Sequence, residues 1–182
     1  MSKSTRFLYV EGEQCPVNII LLIFIVTVYR HSYIKSHCQE KFSTGLFYGL
    51  PLIFSPAAFE TLSTFLEDTR QSPEDFDLIV TGDLGSVGHS IVSGLFTAAG
   101  MPLGERYDDC GRMVFDISQD VHAGASGCGC SAAVLTALLL RRMLDGKLNR
   151  ILFAGTGALL SATSVLQGES IPGVCHAVQI EI

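Results

Sequence analysis

The stretch that most constrains this chain is Gln119–Ala132, QDVHAGASGCGCSA, together with the run that follows it. Gly124, Gly127 and Gly129, with a turn at Gly111 before them, stand ahead of Ser131–Leu144. That run holds Ala132, Ala133, Val134, Leu135, Ala137, Leu138, Leu139, Leu140, Met143 and Leu144, which predicts a helix apolar on every side. A helix without a polar face must be covered all round by protein or lipid. Its fourteen residues fall short of the ~20 that span a membrane. The expectation is the central helix of a layered α/β core. A glycine-rich lead lets a ligand, or another stretch of backbone, come close to the first amides of such a helix.

Composition narrows the class. Hydrophobic residues make up 48% and charged residues 16% of 182, the balance of a buried globule and not of a disordered chain. The net charge of −6 argues against nucleic acid as a partner, which would call for a basic face. Six cysteines are too few for a disulfide scaffold and predict reduced thiols in a cytosolic compartment.

Charge and glycine both shift near Gly49. Residues 1–49 carry five Lys/Arg against three Asp/Glu, and residues 50–182 carry seven against fifteen. Three glycines precede residue 50 and fifteen follow it. The chain therefore divides into an N-terminal segment, 1–49, and a domain, 50–182. Val17–Tyr29, VNIILLIFIVTVY, is rich in β-branched residues and reads as a strand. The positive flank Arg30, His31 and Lys35 keeps a membrane-associated segment as its alternative.

Downstream, Ser55-Pro56 reads as an N-cap and first-turn proline for a helix over Ala57–Glu67. Asp77–Thr81 is a short apolar strand, Gly82–Gly88 a glycine turn, and Ser86–Ala99 a helix. Met113–Phe115 is a short strand, Arg150–Ala154 a buried strand, and Val174–Ile180 a final strand after a glycine-proline loop. Helices alternating with strands make an α/β sheet with helices on its faces. Three glycine turns, Gly82–Gly88, Gly124–Gly129 and Gly155–Gly157, fall beside strand ends, where ligands bind in such sheets. The first has the spacing G-x-x-G-x-x-G, which is not the dinucleotide fingerprint.

Reactive groups are sparse. Cys128 and Cys130 form C-x-C with no second pair at zinc spacing; Cys110 and His122 are the nearby candidates. Cys128 with His122 as base would be a nucleophile pair, set against buried small hydrophobes and a loop-bonding histidine. Asp108, Asp109 and Asp120 fit a metal or acid–base cluster on one reading and turn and cap roles on the other. Glu169 and His176 flank the last loop.

DLIVTGDLGSVG at 77–88, YDDCG at 107–111, QDVHAGASGCGCSA at 119–132, GKLNRILFAGTGALLS at 146–161 and QGESIPGVCHAVQIE at 167–181 resemble the C-terminal half of the stage V sporulation protein AD family. SPAAFETLSTFLEDT at 55–69 fits the helix before them, and residues 1–49 do not resemble it. The resemblance implies a thiolase-like layered fold, related to the ketoacyl synthase III enzymes, with a mixed sheet and a buried central helix. It also implies that the family's N-terminal half, which carries the thiolase cysteine position, does not precede residue 50.

The implied function is binding of dipicolinic acid, free or as its calcium chelate, for uptake into the developing spore. The implied location is the spore, peripheral to its inner membrane on the cytoplasmic side, beside other stage V sporulation A proteins. A homodimer is implied for the intact family, and no cofactor or metal. Catalytic relatives carry a histidine in an HQAN turn, where this chain reads Gly82-Asp83-Leu84-Gly85. They also carry an asparagine in a GN turn, where it reads Gly124-Ala125-Ser126-Gly127. Without these donors nothing stabilises the oxyanion of a condensation. Binding residues are then expected at Gly82, Asp83, Gly85, His122, Gly124, Ser126, Gly127 and Gly129. An acyltransferase-like enzyme acting on acyl thioesters is the alternative.

Overall fold

The computed structural model describes residues 46–124, 127, 129–158, 163, 166, 167 and 173–182. Val17–Tyr29, Ser126, Cys128 and Glu169 lie outside the described residues.

Strands β1 (Leu78–Thr81), β2 (Tyr107–Asp109), β3 (Arg150–Ala158) and β4 (Gly173–Glu181) form one sheet in the order β2-β1-β3-β4. β1 runs parallel to both β2 and β3, and β4 runs antiparallel to β3. Successive side chains on a strand point to opposite faces, so each buried strand feeds two cores. Ile79, Leu152, Ala154, Cys175 and Ala177 join one core. Leu78, Val80, Ile151 and Ile180 join the other. A four-residue strand buried at every position, as β1 is, must be covered on both sides.

The first cover is α1 (Leu46–Thr69) with α2 (Gly85–Ala98). Ala58, Leu62 and Phe65 of α1 and Val92 and Phe96 of α2 are its most deeply buried contributors. Phe59 meets Phe96 edge to face at 4.9 Å between ring centres, joining the two helices. The second cover is a continuous helical stretch: α4 (Cys130–Val134), a π turn over Leu135–Leu139, and α5 (Leu140–Leu144). It places Val134, Leu139 and Met143 against the sheet. The result is a layered α/β fold with a mixed sheet, as the alternation of elements predicts.

Four local readings are corrected. Ser55-Pro56 does not start a helix: α1 runs through it, and the buried Ser55 hydroxyl donates to the Gly88 carbonyl of α2 at 3.4 Å. Met113–Phe115 is not a strand. The strand is Tyr107–Asp109, and Asp109 then caps the short α3 (Cys110–Met113). Gly155–Gly157 is not a turn; these residues continue β3 in register with His176, Cys175 and Val174. Among the described residues, the helix at 130–144 is covered on one side only. Ala132, Ala133, Thr136, Ala137, Arg141 and Arg142 face outward, and Leu144 is 60% exposed. Alanine presents little apolar surface, so its outer face tolerates water better than an all-round apolar reading allows.

Candidate functional site

The carboxyl end of β1 gathers four elements. β1 ends at Thr81, β2 ends opposite it at Asp109, β3 passes on the other side, and α2 begins at Gly85. The parallel register sets Thr81 level with Asp109. Asp109 is fully buried, and its carboxylate accepts from the Thr81 hydroxyl at 2.6 Å. It also accepts from the amides of Leu84 at 3.0 Å, Gly85 at 2.8 Å and Gly111 at 2.9 Å. Thr81 has one hydroxyl proton, and it goes to Asp109. The buried Tyr107 hydroxyl, 3.0 Å away, must therefore donate to Thr81. Burial holds the Asp109 carboxyl above its ordinary value, while the four donors favour the charged form.

This network decides what the first glycine turn does. The amides of Leu84 and Gly85 are held by Asp109, and that of Ser86 donates to the Ala123 carbonyl at 2.7 Å. These amides are therefore not free for a ligand: an internal carboxylate and carbonyl take them. Gly85 has φ +66°, and a Cβ there would lie 2.3 Å from the Ala123 carbonyl oxygen. Gly124 has φ +97°, and its Cβ would lie 2.5 Å from the Gly111 carbonyl oxygen. Both positions need glycine because backbone passes against backbone in a left-handed conformation.

Gly127 and Gly129 differ. Among the described residues a Cβ on either would meet nothing within 4 Å, and neither has a φ between +20° and +160°. The Gly127 amide donates to Asp83 Oδ2 at 3.2 Å, and Asp83 Oδ1 accepts from the Thr156 hydroxyl at 2.8 Å. Gly82, Asp83, Gly127 and Thr156 thus come together where β1, β3 and α4 meet. His122 is not drawn in. Its side chain is 88% exposed and faces Asp120 at 3.6 Å. Ser126 lies outside the described residues.

The cluster Asp108, Asp109 and Asp120 resolves into separate tasks. Asp108 pairs with Arg112 at 3.2 Å, Asp109 caps α3, and Asp120 sits beside His122. Among the described residues no group of three or more His, Cys, Asp or Glu converges to hold a metal ion. Burial pushes the Cys110 and Cys175 thiols up to about 12 and raises that of Cys130. Such thiols are protonated at neutral pH and are poor nucleophiles.

Thr81, Tyr107 and Thr156 were missed in the sequence. Thr81 carries a partial signal, as a polar residue ending an otherwise apolar strand directly before a glycine turn. Thr156 carries none, because its role depends on strand β3 lying beside β1.

The stage V sporulation protein AD family matches residues 50–181. The stage V sporulation protein AD of Bacillus subtilis (strain 168) is 42% identical to the chain over 127 residues. That alignment covers 70% of this chain and 38% of the relative, so the chain spans well under half the relative's length. The family match at residues 50–181 includes the strands and turns that assemble the Asp109 and Asp83 networks. On these findings the chain belongs to the stage V sporulation protein AD family.

Proposed function

We propose that the protein is a non-catalytic component of the developing spore that binds dipicolinic acid for its uptake, against the glycine-rich segment at the carboxyl ends of β1 and β3. Membership of a sporulation family over residues 50–181 carries this reading. The fold expected of that family is thiolase-like. The protein would act peripherally to the spore inner membrane, with other stage V sporulation A proteins. No helix among the described residues is long and apolar enough to cross a membrane.

The ligand is a flat ring with two carboxylates. A Cβ on Gly127 or Gly129 would meet no described atom within 4 Å, which supports a site where a planar anion lies against backbone. The Gly85 amide is held by Asp109, and Gly85 and Gly124 lie against backbone carbonyls, which supports a shaping role for them and not a donor role. The net charge of −6 disfavours a free dianion and makes the calcium chelate a second form to test. The lack of a histidine at Gly82–Gly85 supports binding over acyl transfer.

Calorimetric titration with dipicolinate, with and without calcium, tests the binding. Saturable one-site heats are expected. Heats equal to those of benzene-1,3-dicarboxylate, which lacks the ring nitrogen, would overturn selective recognition. Incubation with an acyl thioester and a malonyl carrier tests the absence of condensation, and thiol release above the protein-free rate would refute it.

A further inference from the structure

Residues 141–150 hold four Lys/Arg and one acid, in a domain, 50–182, that holds seven against fifteen. They form the end of α5, a turn at Gly146 with φ +69°, and the start of β3. β1 runs parallel to β3 and β4 antiparallel, so this turn lies beside the start of β1 and the end of β4. The Asn149 and Arg150 amides donate to Asp77 at 2.6 and 2.9 Å, and the Ile182 amide donates to the Asn149 carbonyl at 3.0 Å. The turn and Ile182 are thereby fixed to one another. Asp145 stands 3.7 Å from both Arg141 and Lys147, and Glu181 takes Arg150 at 2.7 Å. Arg142 is exposed and makes no ion pair among the described residues. A single carboxylate against Arg141, Arg142 and Lys147 leaves this surface positive. Two aliphatic side chains adjoin it in the open, Leu144 at 60% and Ile182 at 51% exposure. Neither joins either core.

We propose that this end of the fold docks on an anionic lipid bilayer, with Arg141, Arg142 and Lys147 over the headgroups and Leu144 and Ile182 set among them. The inference rests on the peripheral membrane reading above and gives it a face. Anionic lipid attracts a basic surface, and exposed aliphatic groups gain by leaving water at the headgroup boundary. Arginine and lysine stems can lie along that apolar layer while their charged heads stay wet. An acidic protein surface would use the charges and leave the aliphatic pair in water. β1 and β3 run from this end toward Thr81 and Ala158, so their carboxyl ends face away from the bilayer.

The chain contains no tryptophan, so Leu144→Trp places a single reporter at the docking end. With vesicles of phosphatidylglycerol and phosphatidylcholine mixed equally, its emission is expected to shift to the blue and to be quenched by brominated acyl chains. With phosphatidylcholine alone, neither change is expected. Affinity of the full chain for the mixed vesicles, read by sedimentation, should fall about fivefold for each charge removed in Arg141→Gln, Arg142→Gln and Lys147→Gln. Arg112→Gln, in α3 beyond the carboxyl end of β2, should bind as wild type does. An equal loss in Arg112→Gln would report net charge and overturn the face. Wild-type sedimentation with no quenching of the reporter, or with no loss in the triple variant, places the lipid contact elsewhere; this face then fails while the peripheral reading stands. If wild type sediments with neither vesicle, the face and direct lipid contact fail together. Capture on poly-glutamate in place of vesicles would overturn the bilayer and give the face to an acidic polypeptide.

Discussion

Two glycine-rich turns open helices on the same edge of this sheet, and they are built on opposite principles. The turn before α2 is closed. Its amides are held by Asp109 and by the Ala123 carbonyl, and Gly85 lies against backbone. Before α4, Gly124 likewise lies against backbone, whereas a Cβ on Gly127 or Gly129 would meet no atom of the described residues within 4 Å. The same residue type therefore serves close backbone packing at Gly85 and Gly124, and meets no such neighbour among the described residues at Gly127 and Gly129. The difference lies in what stands opposite: a buried carboxylate at the first, and a single carboxylate tether at the second.

The largest expected effect breaks the closed turn at its centre. Asp109→Ala leaves three buried amides and the Thr81 hydroxyl without their acceptor, and should cost about 4 kcal/mol of stability in denaturant unfolding. A loss below about 1 kcal/mol would mean that water replaces the carboxylate and that the turn is not organised by it. Gly85→Ala attacks the same turn from the backbone. The positive φ and the approach of the Ala123 carbonyl together predict a loss of about 3 kcal/mol. Equal stability of this variant and wild type would show that the α2 start can move away from residue 123.

A smaller effect asks whether burial makes the closed turn strong. Asp77 performs a similar task at the other end of the sheet, accepting from the amides of Asn149 at 2.6 Å and Arg150 at 2.9 Å, but in the open. The Arg150 and Asn149 amides hold its carboxyl below the ordinary value of 3.8. A depressed carboxyl stabilises the fold above its unfolded value, and that contribution is lost as pH falls through the lowered one. Asp77→Asn should therefore narrow the gap in stability between neutral pH and pH below 3.8, by less than about 1 kcal/mol because solvent screens the site. A gap as wide as that of wild type would assign the acid loss to other carboxylates. The smallest stability effect is expected at the open segment. Gly127→Ala should shift stability by no more than about 0.5 kcal/mol while weakening dipicolinate binding. A large loss of stability there would show that Gly127 is packed after all.

Much of the fold was legible because short-range signals and burial agreed. The apolar strand at 77–81, the helix after it and the buried strand at 150–154 are strong local patterns, and each forms close to where it was expected. The failures share a cause. Ser55-Pro56 has the chemistry of a helix start, yet the helix passes through it, and the serine hydroxyl bonds to α2 instead of to its own backbone. Gly155 and Gly157 have the chemistry of a turn, yet β4 pairs with them residue by residue. In both cases a neighbour distant in sequence overrode a local preference. At the site, the cap role of Asp109 was among the expected ones, whereas the reach of its carboxylate to the α2 amides was not.

The chain's sequence determined its class and its family: an α/β alternation, an alanine-lined helix and five motifs in the family's order. Periodicity and motif identity are properties of neighbouring residues, so they survive without coordinates. Tertiary structure alone decided which glycines lie against backbone, and that Thr156 faces Asp83 across a gap of 73 residues. Those outcomes depend on which strands lie side by side. A parallel register brings the ends of β1, β2 and β3 into one place, and no pattern within any one of them records the other two.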